Sequence, residues 1–458
     1  MADSTLNRLY PYQREIAVAV LDSVSGHCGL TFSVEIARQG GKNELSAQLE
    51  LLLLTLSMNL PRNLVKCSPT FKPQAVTSMQ RLKDRLNDAG FGGIWKSEFG
   101  YIIRLGDARA VFLSAEEHSN VVGNTAHLLL EIDEAQDVSL DKYSKEFKPM
   151  GATNNVTSVL YGTTWDNSTL LEETKQANLE LERGDGIKRH FRYDWQEVAR
   201  FNPDYLSYVE TERDRLGEDH PLFMTQYRLL PISGGGRLLS AQQRVQLQGE
   251  HPRRHNPQAD SVYVAGIDLA GEAEKTEGDS FRQAKTRQDA TVVTIAELSK
   301  GNELTGEPSL RVVEHYWWTG EKHTEVYARL LDLLKNVWHC KRITIDSTGV
   351  GQPVSSFLHQ ALGSRVKPFV FTAASKSELG FELLAAINSG RLKIYAGDGS
   401  PEYREFWFEM EKAKSHFRPN QTINFYLEAA EGHDDFLMSL ALTVEAASGY
   451  KLRAAKGQ

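Results

Sequence analysis

Short apolar runs that end in a glycine- or acid-bearing turn, each followed by a helical pattern, most constrain what this chain can fold into. Leu30 to Ala37 is the first such run; Arg38-Gln39-Gly40-Gly41 makes the turn, and a helix is expected from about Asn43 to Leu56. Leu64 to Cys67 ends in Ser68-Pro69-Thr70 and leads to a helix with charged faces from about Pro73 to Ala89. Tyr101 to Leu105, Ala110 to Ser114, Leu128 to Ile132 and Ser158 to Tyr161 continue the series. Strand, loop and helix in repetition predict an α/β fold with a mostly parallel sheet and functional loops at the strand ends. Residues 170–232 read as a charged, helical lid on this domain. Ser233-Gly234-Gly235-Gly236 breaks the pattern, and a polar tract to Asp260 marks 233–260 as a linker. A second α/β pattern then runs over 261–458, with strands at Val262 to Leu269, Ala290 to Ala296 and Ile343 to Ile345 and a last helix from about Asp434. At 458 residues the chain exceeds what one core usually supports, so 1–232 and 261–458 are expected to be separate domains.

Composition narrows the function classes. The net charge of -8 gives no global basic field, so contact with nucleic acid would rest on local patches such as Arg253-Arg254-His255 and Lys412 to Arg418. Three scattered cysteines, Cys28, Cys67 and Cys340, show neither disulfide nor zinc spacing and fit a reducing cytosol. The longest apolar run, Leu49 to Leu60, is interrupted by Glu50 and Asn59 and is too short for a bilayer. It is expected to be a buried helix, and no membrane role is expected.

The first turn sits where a phosphate loop belongs. Backbone N–H groups of Arg38, Gln39, Gly40 and Gly41 and the following helix N-terminus would cradle phosphates, with Lys42 neutralising their oxygens. Ile36 stands at the first glycine position of the general pattern, and Asn43 replaces the hydroxyl residue that holds magnesium. Leu128 to Ile132 then delivers Asp133 and Glu134 at a strand end, the first for a magnesium shell and the second to polarise water. Glu131 is out of place in a strand that should be apolar throughout. Thr163 and Thr164, after Tyr161-Gly162, offer hydroxyls that can sense a γ-phosphate, and Gln13 stands before a helix where motor ATPases read adenine.

The second half carries its own acids. Asp268 lies in the apolar strand Val264 to Leu269, where a lone carboxylate is costly to bury. Asp346 ends Ile343 to Ile345, and Asp434 and Asp435 open the last helix. Acids on two strands and one helix can converge on two divalent cations about 3.5–4 Å apart for phosphodiester cleavage. Helix phase does not decide between Asp434 and Asp435. As ordinary structure, Asp346 would be a turn former and Asp434 an N-cap.

Taken together, the Arg38, Gln39, Gly41, Lys42 loop, the Ser119-Asn120-Val121-Val122-Gly123 segment, the Asp133-Glu134 pair and Gly162-Thr163-Thr164 resemble the large subunits of tailed-bacteriophage terminases. The order of Asp268, Asp346-Ser347-Thr348-Gly349-Val350-Gly351 and His433-Asp434-Asp435 is similar to their RNase H-like nuclease domain, with Asp289 and Lys376 as secondary matches. The resemblance implies a P-loop ATPase domain that uses ATP and Mg²⁺, and a nuclease domain that uses Mg²⁺ or Mn²⁺. It further implies work on double-stranded DNA as a homo-oligomeric ring on the procapsid, with a portal protein and a small terminase subunit as partners, in the host bacterial cytoplasm. An arginine finger from a neighbouring subunit is implied as well, with Arg62, Arg104 and Arg109 all open. The rival readings are a helicase or recombination ATPase fused to a nuclease, which should show further helicase motifs after Leu170, and a non-catalytic DNA-binding assembly protein.

Overall fold

Strand β1 (Thr31–Ile36) feeds helix α2 (Lys42–Leu56), which is buried from Leu45 through Leu54, as a helix apolar on nearly every side must be. Helix α1 (Pro11–Ser25) precedes them. The computed structural model describes residues 8–116, 118, 119, 121, 123–270, 290–301, 306–320 and 323–451. Two compact units emerge: residues up to 209 with 224–233, and 210–223 with everything from 234 onward.

The first unit holds an eight-stranded sheet in the order β3-β4-β5-β2-β6-β7-β1-β8. Its strands are β1, β2 (Asn63–Ser68), β3 (Lys96–Glu98), β4 (Ile102–Leu105), β5 (Ala108–Ser114), β6 (Leu130–Ile132), β7 (Ser158–Gly162) and β8 (His190–Tyr193). From β5 to β8 all neighbours are parallel; β3 and β4 form an antiparallel edge. Helix α3 (Val76–Leu86) follows β2. The stretch expected to be a helical lid supplies α4 (Leu170–Asp185), α5 (Trp195–Ala199), α6 (Pro203–Leu216) and α7 (Pro221–Gln226), but also β8, whose buried Phe191 joins the sheet beside β1. Four residues are too few to display a strand period.

The second unit is built on a six-stranded sheet in the order β14-β13-β10-β11-β12-β15. These strands are β10 (Val262–Asp268), β11 (Ala290–Ser299), β12 (Ser309–Thr319), β13 (Arg342–Asp346), β14 (Val366–Phe369) and β15 (Leu392–Ile394). β11 runs antiparallel to both its neighbours, and the other pairs are parallel, so this unit is α/β as expected. Residues 234–260, read from sequence as a linker, belong to this unit. β9 (Gly235–Arg237) pairs with β16 (Lys414–Phe417), which pairs in turn with β17 (Ile423–Tyr426), and α8 (Ala241–Leu247) follows. Arg253 binds Glu314, Asp398 and Glu402, so the basic patch expected to meet DNA is tied down by acids.

Helices α9 (His323–Asp332), α10 (Gln352–Leu362), α11 (Ala373–Asn388), α12 (Pro401–Lys412) and α13 (Asp435–Ala447) cover the sheet. α13 buries Phe436, Leu437, Leu440 and Leu442 completely, each contributing about 1.5–3 kcal/mol. It lies close to β10 because Gly266 leaves room: a Cβ there would stand 2.2 Å from the Ser439 carbonyl. No helix among the described residues is long and apolar enough to cross a membrane.

Candidate functional site

Three adjacent parallel strands of the first unit end together. β7 lies between β1 and β6, with Glu35 level with Gly162 and Ile132 level with Leu160. The loops that follow these strands therefore share the C-terminal edge of the sheet, where open α/β folds bind ligands.

The loop after β1 turns through left-handed Gln39 (φ 61) and Gly41 (φ 87). Helix α2 then starts with no side-chain cap on its first N–H groups, the kind of helix N-terminus that can take an anion. Lys42 is buried; its Nζ donates to the Ile36 carbonyl at 3.3 Å and lies 3.7 Å from Glu134 Oε1. Braces come from α1: the Tyr12 hydroxyl donates to the Gly40 carbonyl at 2.7 Å and Gln13 Nε2 to the Gly41 carbonyl at 3.0 Å. Gln13 Oε1 accepts the Tyr10 N–H at 2.9 Å, so the amide expected to read adenine holds the loop in place here. Arg38 is exposed and donates to Gln226 Oε1 at 2.6 Å, and Asn43 sits half-buried in the first turn of α2.

Past β6, Asp133 is buried, and burial raises its carboxyl above the ordinary range against the pull of Lys66. Its Oδ1 accepts the Glu134 N–H at 3.1 Å. Glu134 itself adopts φ 43, a left-handed backbone that non-glycine residues rarely take and that clusters at functional sites. Its Oε2 accepts Gln136 Nε2 at 2.8 Å, and Gln136 Oε1 accepts the Thr163 N–H at 3.2 Å. Thr164 Oγ1 donates to buried Glu35 Oε1 at 2.6 Å. All three loops named from sequence are brought together here. Of Ser119-Asn120-Val121-Val122-Gly123, Asn120 and Val122 lie outside the described residues; the Ser119 carbonyl accepts Lys142 Nζ at 2.6 Å. Of the arginines left open as fingers, Arg104 is held by Glu98 and Asp107, and Arg109 lies 3.7 Å from Glu98.

The misplaced acid of β6 has a partner. Lys66 on β2 is buried, with Nζ 2.6 Å from Ser46 Oγ and 3.1 Å from Glu50 Oε1. Glu131 Oε1 accepts Ser46 Oγ at 2.8 Å and the Tyr161 hydroxyl at 3.0 Å. Burial, then the charge of Glu50, raises the Glu131 carboxyl, while Lys66, despite its own burial, is kept charged by Glu50 and Glu131. One cation between two acids, one of them inclined to keep its proton, is a tolerable burial.

In the second unit, Ile267 is level with Ile345 on the neighbouring parallel strand, so Asp268 and Asp346 follow side by side. Burial raises the Asp346 carboxyl although Thr348 N–H donates to it at 2.8 Å. Asp434 stands at the start of α13 and is raised by burial, with Lys376 opposing. Lys376 is lowered by burial, with Asp434 and Asp268 opposing, so the charges of both acids act on the same ammonium. Asp435 Oδ2 accepts the Ala290 N–H at 3.0 Å. Among the described residues no group of three or more His, Cys, Asp or Glu forms a ready metal-binding cluster. Asp289 lies outside the described residues. The carboxylate oxygens of Asp268, Asp346 and Asp434 are nonetheless the donor type that hard divalent cations take.

No protein-family model matches the sequence, and no curated protein matches it. Crystal structures do. A structure of the large terminase from a thermophilic bacteriophage superposes with a TM-score of 0.57 at 11% identity, covering 95% of this chain and 98% of that one. Over 95% of its length the chain has the large-terminase fold. The same phage terminase in complex with ADP gives 0.55 at 11% identity over 96% and 100% of the two chains. With ATP-gamma-S it gives 0.53 at 12% identity over 95% and 98%.

Sequence reading missed several residues that this large-terminase fold brings to its sites. Tyr12 braces the loop after β1 and Gln136 holds Glu134; Gln136 stands just past Ala135, close behind the acidic pair, which was its only signal. Lys66 was hinted at by Glu131, an acid that needed a buried cation. Glu409 on α12, buried and raised well above the ordinary range by that burial, accepts the Leu437 N–H at 2.9 Å near Asp434 and Asp435. Nothing in its helical context marked it.

Proposed function

We propose that the chain is the large subunit of a phage terminase. It couples ATP hydrolysis to movement of viral double-stranded DNA into a procapsid and cuts concatemeric DNA with a two-metal endonuclease. The observation that carries the reading is Lys42 facing Glu134 across 3.7 Å at the mouth of a phosphate loop, in a chain that takes the large-terminase fold over 95% of its length.

Arg38, Gln39, Gly40, Gly41 and Lys42 would hold the phosphates of ATP, and Asn43 and Asp133 its magnesium. Bound nucleotide and cation would supply a γ-phosphoryl group with its charge partly neutralised. Glu134 orients water and accepts its proton, and Thr163 and Thr164 carry the change to β1 through Glu35. That a similarly folded terminase was solved with ADP and with ATP-gamma-S supports the nucleotide assignment. In the second unit Asp268, Asp346 and Asp434 would hold Mg²⁺ or Mn²⁺, which would supply an activated water and stabilise the leaving oxygen. Lys376 keeps the acids' charge from accumulating. The expected setting is a ring of copies on the procapsid in the host cytoplasm, with portal protein, small subunit and a neighbour's arginine.

The test is ATP hydrolysis with double-stranded DNA, beside plasmid cleavage with Mg²⁺ or Mn²⁺. Lys42→Ala should abolish hydrolysis and spare cutting, while Asp268→Ala and Asp346→Ala should abolish cutting and spare hydrolysis. Cleavage untouched by either aspartate variant would remove the nuclease half of the reading.

A further inference from the structure

Gln136 joins two loops at the nucleotide edge of the first unit. Its buried amide donates from Nε2 to Glu134 Oε2 at 2.8 Å and to Asp137 Oδ2 at 3.3 Å, and its Oε1 accepts the Thr163 N–H at 3.2 Å. Chemistry fixes this orientation: the carboxylate only accepts and the backbone N–H only donates, so one of the two amide flips satisfies both. Space for the amide exists because residue 162 is glycine; a Cβ there would stand 2.1 Å from Gln136 Oε1. The other oxygen of Glu134 faces Lys42, and the residue after Thr163 donates to Glu35 in the strand that carries the phosphate loop. Glu134 is therefore suspended between the loop lysine and an amide anchored on the end of β7.

We propose that Gln136 is a positioning residue for ATP hydrolysis, aiming the Glu134 carboxylate and making its aim depend on the backbone at Thr163. The proposal rests on reading this unit as an ATPase. Gln136 has no part in holding phosphates, so its loss acts on the chemical step and leaves binding alone. A reacting group displaced by about 1 Å can lose on the order of 100-fold in rate.

The experiment uses the full chain with double-stranded DNA and measures kcat and KM for ATP, binding of a fluorescent ATP analogue and thermal midpoint. The variants are Gln136→Ala, Gly162→Ala and Gln136→Glu, with Lys42→Ala as binding control. Gln136→Ala should lower kcat by about 10- to 100-fold while KM and analogue binding hold; the lost acceptor for the Thr163 N–H lowers the midpoint but leaves the chain fully folded at the assay temperature. Gly162→Ala should reproduce that loss by displacing the amide, and Gln136→Glu, of equal size but repelling Glu134, should fail to rescue it. Gln136→Ala turning over at the wild-type rate, or losing rate only as binding or folded fraction is lost, overturns the proposal and leaves the ATPase reading standing. A wild-type chain that neither binds the analogue nor hydrolyses ATP removes that reading, and the proposal with it.

Discussion

Lys42 Nζ lies 3.7 Å from Glu134 Oε1 while the second oxygen of that carboxylate is held by Gln136, so the acid is placed beside the loop after β1 by contacts from two directions. Glu134→Gln keeps size and removes the base. ATP hydrolysis should fall by about 100- to 10,000-fold with nucleotide affinity retained. Plasmid cleavage should persist, because Asp268, Asp346 and Asp434 belong to the other unit. Parallel turnover and filter-binding assays check this. Equal loss of binding and turnover would make Glu134 part of the binding surface instead.

Asp434 and Asp435 should separate by phenotype. Asp435 accepts the Ala290 N–H, whereas Asp434 is drawn into the field of Lys376. Asp434→Ala should lose metal-dependent cutting with little change in stability. Asp435→Ala removes an acceptor from a backbone donor and should cost about 1–3 kcal/mol of stability, with cutting reduced less. Urea unfolding beside plasmid cleavage decides it, and the reverse pattern would hand the metal role to Asp435.

How much of this was legible in sequence follows from distance along the chain. The phosphate loop, Asp133-Glu134 and Gly162-Thr163-Thr164 could be read because each is written locally, as a strand running into a turn. Asp268 was legible as a lone acid inside an apolar strand, and Asp346 as an acid at a strand end. Their side-by-side register depends on β10 pairing with β13, a partner far along the chain that local patterns never encode. Gln13 was visible, but its bond to the Gly41 carbonyl was not, since a glutamine before a helix looks the same with or without such a partner. The tract 234–260 looked like a linker because its buried leucines, Leu238, Leu239 and Leu247, are too few to display a period, and contacts such as Arg253 with Glu314 join polar side chains to distant acids.

The buried cluster around Lys66 gives a stability prediction. Lys66→Met leaves Glu50 without its cation in a dry site beside Glu131. Removing one partner of such a group costs about 3–5 kcal/mol. Adding Glu50→Gln should recover much of the loss, because the stranded charge goes with it. Chemical denaturation of the single and double variants measures both; additive losses would mean that Lys66 and Glu50 do not act as a pair.

Acid should weaken the second unit through His220. Its ring is fully buried; Nδ1 accepts the Leu222 N–H at 3.2 Å, which leaves Nε2 as the protonated nitrogen that donates to the Phe381 carbonyl at 3.0 Å. Burial, against the help of that carbonyl, lowers its pKa from 6.5 to about 4. Between those values the unfolded chain binds a proton that the folded chain refuses. The contribution of neutral His220 is therefore complete above pH 6.5 and is lost as pH falls toward 4, in total about 3 kcal/mol. His220→Gln keeps a donor for Phe381 and cannot titrate. Its stability relative to wild type should improve by about 2–3 kcal/mol between neutral pH and the acid end of that window, as read from urea midpoints across the range. Wild-type and variant curves that stay parallel would show that His220 accepts its proton in the folded chain.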